Sequence, residues 1–170
     1  MPDGRVGPAP RVHAGVRPAQ RARSRAFTGR WHARHVTDLS ARAAAALAVP
    51  LQHALGARLA DPADPTAGVV FPVAGLALNG VGGLHAGALA GILELAGLLA
   101  ALPELGADEH AVTHAIATQL VAAAPEGAEV TVTGTLDRRT RRLVFVTVAA
   151  TAGNTVIARA QITKSVVAVR

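Results

Sequence analysis

"LHAGALAGILELAGLLAAL" occupies residues 84–102, and this stretch decides the fold. It predicts a helix that carries small or apolar residues around its whole circumference and that ends at Pro103. A helix that is hydrophobic on all sides must be buried. Its only titratable side chains are His85 and Glu94, so a carboxylate lies in the middle of an apolar helix.

The segments around this helix predict strands. In "AEVTVTGTL" (128–136), Val130 and Val132 face one side, while Thr131 and Thr133 face the other. The order of elements predicts an α+β fold, in which an antiparallel sheet of five to six strands wraps a long central helix. The charged segment "DRRTRR" (137–142) is expected to be a hairpin loop. The other strand-like runs are "GVVFPVAGLAL" (68–78), "AVTHAIATQLVAA" (111–123), "LVFVTVAAT" (143–151) and "TVIARAQITKSVVAV" (155–169).

Charge divides the chain into two parts. Residues 1–36 carry eight arginines and one acid, which gives +7, whereas the remainder carries −1. The first part is rich in Pro, Gly, Ala and Arg and has no apolar periodicity, so residues 1–36 are predicted to be a disordered basic extension. Residues 37–170 form one predicted domain, which begins with a helix from Thr37. The arginines are compatible with nucleic-acid or membrane binding, with a targeting peptide, or with no function of their own.

Cysteine is absent from the 170 residues. Disulfides and thiolate metal sites are therefore excluded, and a cytoplasmic location is compatible with the composition. The seven histidines show no metal-ligand spacing, so no metal is implied.

Four interpretations of Glu94 compete. A membrane-spanning helix is disfavoured, because the carboxylate would lie near mid-bilayer and three glycines interrupt the segment. A solvent-exposed glutamate is disfavoured, because the residues on its helix face are all apolar or small. A buried glutamate paired with an arginine and a catalytic or ligand-binding carboxylate both remain. Glycines in this helix allow another group to approach closely, and they therefore favour the catalytic or ligand-binding carboxylate. The face of Glu94 contains Ala90, Gly91, Gly97 and Leu98, and Gly87 lies two turns before Glu94.

His85 stands just before the helix. It is compatible with a helix cap, and also with an anion or oxyanion site made by the unpaired N–H groups of the first turn. His85 and Glu94 are nine residues apart, which places them on opposite faces and about 13.5 Å apart along the axis. If both serve one site, a second copy of the helix must supply the glutamate. That arrangement predicts a two-fold dimer with two shared sites.

These residues resemble the hotdog-fold acyl-CoA thioesterases, in the branch that includes the phenylacetate-degradation enzymes. The family pattern has Asn or Gln, five residues, His-Gly-Gly, and an acid nine positions after the His. Asn79, His85-Ala86-Gly87 and Glu94 match it, except that Ala86 replaces the first glycine. The resemblance covers residues 49–167 and also includes Leu55-Gly56, Val112-Thr113 and the turn at residues 124–127.

The resemblance implies a role for each site residue. Glu94 would be the general base or the nucleophile, and the Ala86 N–H would polarise the thioester carbonyl. Asn79 would hold that carbonyl or the attacking water. His85 would orient the loop and the sulfur side of the substrate, and Thr113 would bond to water or to Glu94. By the family pattern, Asn79, His85 and Ala86 come from one subunit and Glu94 and Thr113 from the other.

The resemblance also bears on substrate and assembly. A glutamate in place of the aspartate common in this branch is similar to the 4-hydroxybenzoyl-CoA and 1,4-dihydroxy-2-naphthoyl-CoA thioesterases, which favours an aryl substrate. The thioester is expected to be that of coenzyme A or of an acyl carrier protein. The expected assembly is a homodimer or a dimer of dimers, with no cofactor other than the coenzyme A part of the substrate. The alternative is a hotdog regulator that binds acyl-CoA without hydrolysing it. Gly87 and Leu98 are expected to contact substrate, and the candidates for CoA phosphates are Arg138, Arg139, Arg141, Arg142, Arg159 and Lys164.

Overall fold

The structure, a computed structural model, describes residues 30–169. Three α-helices are formed: α1 (Arg30–Leu47), α2 (Pro50–Ala54) and α3 (Ala86–Ala101). Six strands are formed: β1 (Arg58–Leu59), β2 (Val69–Pro72), β3 (Glu109–Leu120), β4 (Glu129–Arg139), β5 (Leu143–Ala152) and β6 (Thr155–Ala168). They make one antiparallel sheet in the order β1-β2-β4-β5-β6-β3. The predicted α+β plan with a long central helix is confirmed.

Helix α3 is the centre of the core. Ten of its residues are buried, and it packs across β4 and β5. Residues 86–104 have the length and the mean hydropathy, 1.8, of a membrane-spanning helix, but 61% of that apolar window is buried inside the fold. The closest approach is at Gly134 of β4, where an added Cβ would lie 2.7 Å from the carbonyl oxygen of Ala96. The sheet therefore supplies the apolar surface that the helix needs.

Several ends of strands and helices differ from those predicted. The hairpin after β4 is shorter than predicted, because the strand continues through a bulge beyond Leu136 to Arg139. Strand β2 stops at Pro72, whose nitrogen has no hydrogen to donate, so the predicted strand over 68–78 is wrong in its second half. Helix α1 begins at Arg30 rather than at Thr37. The disorder predicted for residues 1–29 lies outside the described residues.

Strand β3 is at one edge of the sheet. It pairs with β6 along its whole length on one side, and residues of both its faces are exposed. A register shift occurs between Thr113 and Ala115, so His114 is an extra residue in the strand. This bulge lies beside the point where Glu94 of α3 meets the sheet, so the irregularity of the edge strand belongs to the candidate site.

Candidate functional site

Glu94 bonds to two side chains of the sheet. Its Oε1 accepts a hydrogen bond from Thr113 Oγ1 at 2.6 Å and another from Lys164 Nζ at 2.5 Å. The Lys164 ammonium also donates to Thr113 Oγ1 at 3.0 Å, so the three groups form a closed triangle. The Lys164 side chain is fully buried, whereas the Glu94 side chain is 33% exposed. One oxygen of the carboxylate is held, and Oε2 has no hydrogen-bond partner within residues 39–169.

Strand register and one glycine build this triangle. Thr113 and Lys164 are directly opposite each other in the β3–β6 ladder, so both side chains point to the helix side of the sheet. Gly97 lies one turn after Glu94. A Cβ on Gly97 would lie 3.0 Å from Ile162 Cδ1 and 3.6 Å from Lys164 Cε. The glycine on the glutamate face therefore leaves room for the lysine stem.

The environment shifts both ionisable groups. Burial raises the pKa of Glu94, but the charge of Lys164 and the hydrogen bonds from Lys164 and Thr113 together outweigh it and lower the pKa below its ordinary value. Burial lowers the pKa of Lys164, and the attraction of Glu94 offsets part of that effect. The glutamate is held as a carboxylate because a buried cation and a hydroxyl stabilise its negative charge.

A cavity of about 510 Å³ opens beside Glu94, between helices α1 and α2, helix α3 and the start of β3. Its wall is mostly apolar, and Leu98, a predicted substrate contact, is part of it. Gln52 of α2 also lines this cavity. It is 7% exposed, and its buried Oε1 has no hydrogen-bond partner among the described residues. The polar side chains of the wall are Arg42, Gln52, Glu94, His110 and Thr113.

The second group of predicted site residues lies at the N-terminus of helix α3. His85 is the N-cap of α3, and its Nδ1 accepts a hydrogen bond from the Gly87 N–H at 3.0 Å. A Cβ on Gly87 would lie 3.0 Å from the His85 ring, so the glycine makes room for this contact. Ala86 is the first residue of the helix, where an N–H has no intrahelical acceptor. The Ala86 N–H is therefore available to a substrate oxygen.

Asn79 organises the loop before this N-terminus. Its Oδ1 accepts from the N–H groups of Val81 and Gly83, and its Nδ2 donates to the Leu84 carbonyl. The predicted role was to hold the substrate carbonyl or a water. In the structure the side chain closes its own loop, and one Nδ2 hydrogen is left over.

The structure brings Glu94 and Thr113 together and places Ala86 elsewhere. Ala86 lines a different cavity, of about 310 Å³, at the other end of the helix. This separation follows the spacing argument, by which residues 85 and 94 lie on opposite faces of the helix.

Other predicted residues have varied positions. Arg138, Arg141 and Arg142 are exposed, while Arg139 forms an ion pair with Glu109 at 2.6 Å. The prediction that Lys164 lies on a basic surface is wrong, because its side chain is fully buried against α3. The partner of Glu94 is this lysine rather than the arginine considered from sequence. Strand alternation places Lys164 on the same face as the buried Ile162, and that signal could have identified it.

No three His, Asp or Glu side chains within residues 39–169 lie close enough to share a metal ion.

Comparisons with known proteins identify the family and the fold. The model of the FlK family, described as fluoroacetyl-CoA-specific thioesterase, matches residues 83–170, just over half of the chain. No curated protein sequence matches significantly. A thioesterase family protein from Silicibacter pomeroyi is 23% identical, over 81% of this chain and 98% of its own, with a TM-score of 0.65.

Two further solved structures are similar. A phenylacetic acid degradation-related protein from Ralstonia eutropha is 20% identical, over 75% of this chain and 98% of its own, with a TM-score of 0.63. A hypothetical thioesterase protein from Streptococcus pneumoniae, solved with coenzyme A, is 19% identical, over 69% of this chain and 91% of its own, with a TM-score of 0.58. At these identities the likeness shows the fold, and the predicted hotdog architecture is confirmed.

Proposed function

Since the chain belongs to the FlK thioesterase family and is a thioester hydrolase, we propose that it hydrolyses an acyl-CoA with Glu94 as the catalytic carboxylate. One observation carries this assignment. Among residues 39–169, Glu94 is the only acid on the wall of the 510 Å³ cavity, and one oxygen of its carboxylate is held while the other has no hydrogen-bond partner. A group held in this way is oriented for reaction before substrate arrives.

The lowered pKa of Glu94 keeps the group ionised, which both the nucleophilic and the general-base role require. The nucleophilic role is the first of the two candidate mechanisms. In this step Oε2 bonds to the thioester carbon, the C–S bond breaks, and the CoA thiolate leaves. Water then hydrolyses the mixed anhydride and regenerates the carboxylate. In the general-base alternative, the same oxygen takes a proton from the attacking water.

The thioester oxygen needs a donor near Glu94, and Ala86 of the same chain lies in another cavity. We therefore propose a homodimer, in which Ala86 of one subunit faces Glu94 of the other. Strand β3 supports this assembly, because it is a long edge strand without Lys or Pro and exposes Val112, Ile116 and Leu120. A dimer of dimers is the next level of assembly that we expect, and a cytoplasmic location remains part of the proposal.

The acyl group would occupy the cavity beside Glu94, where Leu95, Leu98 and Leu102 supply apolar contacts. The CoA phosphates would lie on exposed cations, for which Arg138, Arg141 and Arg142 are candidates. The glutamate in place of aspartate favours an aryl group, and the family description favours a fluoroacetyl group. No cofactor is proposed beyond the coenzyme A part of the substrate.

The experiment is thiol release from a panel of acyl-CoAs that includes fluoroacetyl-CoA, acetyl-CoA, benzoyl-CoA and phenylacetyl-CoA. We expect Glu94→Gln to lose at least about a hundredfold in kcat while it stays folded. Glu104→Gln, a change of an exposed acid just beyond the same helix, is the matched control and should keep full activity. Full turnover by Glu94→Gln would contradict the assignment. Wild-type protein that binds acyl-CoA without releasing thiol would favour the regulator.

A further inference from the structure

Lys164 is the most deeply buried charged side chain among residues 39–169, with an exposure of 0%. Lysine is almost never fully buried unless its ammonium is paired. The reaction described above gives it no task, since its Nζ touches neither the solvent nor a phosphate. Its buried position in strand β6 is therefore a feature that requires an explanation.

The hydrogen bonds of the Lys164 ammonium go to the proposed catalytic carboxylate, Glu94, and to the other donor of that carboxylate, Thr113. The ammonium donates to Glu94 Oε1 at 2.5 Å and to Thr113 Oγ1 at 3.0 Å, and Thr113 in turn donates to the same Oε1. Both donors therefore act on one oxygen of Glu94. Because Thr113 is fixed by Lys164, removal of the lysine would loosen both contacts.

The two partners of this ion pair are not equally enclosed. Here the lysine is fully buried, whereas one third of the Glu94 side chain is exposed and lines the cavity. The pair is thus open on the carboxylate side alone. Lys164 therefore acts on Glu94, and Glu94 would contact the substrate.

We propose that Lys164 is the positioning residue for Glu94: it holds Oε1 together with Thr113, keeps the carboxylate ionised beside an apolar cavity, and leaves Oε2 as the atom that reacts. This inference rests on the proposed function, because it assumes that Glu94 carries out the chemistry. It adds Lys164, from strand β6, to the pair of Glu94 and Thr113.

Other charged groups cannot replace the lysine. Within residues 39–169, His110 of β3 and Arg42 of α1 are the other cationic or titratable groups on the cavity wall. The Arg42 guanidinium is bound to the carbonyl oxygens of Leu105, Gly106 and Glu109. His110 attracts the Glu94 carboxylate without a hydrogen bond to it, and its effect is the smallest of those that lower the pKa. Without Lys164, the two largest effects that oppose this burial would be lost, and the hydrogen bond from Thr113 and the charge of His110 would remain to lower the pKa of Glu94.

The test is the pH dependence of kcat/KM on the best acyl-CoA of the panel, for the wild type, Lys164→Met, Lys164→Gln and Lys164→Arg. In the wild type the acid limb should lie below the ordinary glutamate range. Met should move this limb up by about one to three pH units, with a tenfold loss per unit below it, while KM changes little. Arg keeps the cation and should keep the limb near its wild-type position.

Lys164→Gln keeps the experiment decisive if the Met variant does not fold, because the amide retains a donor and removes only the charge. Arg58→Met is the matched control, since it breaks the exposed Arg58–Glu129 ion pair far from the cavity wall. A folded Met or Gln variant with a wild-type limb would overturn the role of Lys164. Activity retained by Glu94→Gln would instead overturn the proposed function, so the two failures are distinguishable.

Discussion

Single residues of the helix N-terminus have local structural tasks that explain their spacing. Asn79 closes the loop, His85 caps the helix, and Gly87 leaves space for the His85 ring. Together they present the N–H of the residue between them, Ala86, without an intrahelical acceptor. The pattern in the sequence therefore describes how the proposed donor, the Ala86 N–H, is held in place. Asn79, His85 and Gly87 act by holding the backbone around Ala86.

Ala86→Pro tests this donor at the scale of one hydrogen atom. Proline is tolerated at the first position of a helix, and His85 already has the extended backbone, φ −77° and ψ 126°, that a residue before proline prefers. The variant should therefore fold normally and lose about 10²–10³-fold in kcat, because it lacks only the N–H. Circular dichroism would establish the fold, and thiol release would establish the rate.

Ala86→Gly keeps the N–H and serves as the control, with activity near that of the wild type. A folded Ala86→Pro enzyme with full kcat would assign the polarisation of the carbonyl to another donor.

At the scale of elements, local periodicity was sufficient for the helix and for most strands. Alternation in β4 and β5 and the all-apolar run of α3 are properties of neighbouring residues, so they could be read directly. The contact between Lys164 and Glu94 could not, because it joins residues 70 positions apart. It depends on the pairing of Thr113 with Lys164 and on the bulge at His114, which no local pattern reveals. The roles of the predicted site residues stay predictions.

Helix α3 and strand β4 approach each other so closely at Gly134 that a methyl group would not fit. An added Cβ would lie 2.7 Å from the Ala96 carbonyl oxygen and 2.9 Å from Ala100 Cβ. Gly134→Ala should therefore lower the free energy of unfolding by about 1–3 kcal/mol, because the backbone of the helix has to shift. Urea unfolding would measure the difference.

Gly80→Ala is the comparison for that measurement, since no atom lies within 4 Å of the added Cβ. Its unfolding midpoint should stay close to that of the wild type. Equal midpoints for both variants would mean that the close approach of helix α3 to Gly134 does not matter for stability.

At the scale of the whole molecule, one chain holds both halves of the proposed site but at separate positions. Glu94 faces one cavity, and Ala86 lines another. Pairing of two β3 edges would extend the sheet across two subunits and satisfy the free N–H and C=O groups of each edge. The apolar side chains exposed on β3 would be covered in the same step. Assembly and catalysis would then depend on the same strand.

Ile116→Lys tests this dependence. Ile116 is 41% exposed on β3 and pairs with Ile162 of β6, so a lysine there leaves the β3–β6 ladder intact but places a charge at the edge. We expect a folded monomer in light scattering that releases no thiol, although Glu94, Thr113 and Lys164 are unchanged. Leu76→Lys alters a residue that is 70% exposed outside the sheet and should remain an active dimer. An active Ile116→Lys monomer would place the whole site within one chain, because no second subunit could then supply the Ala86 N–H.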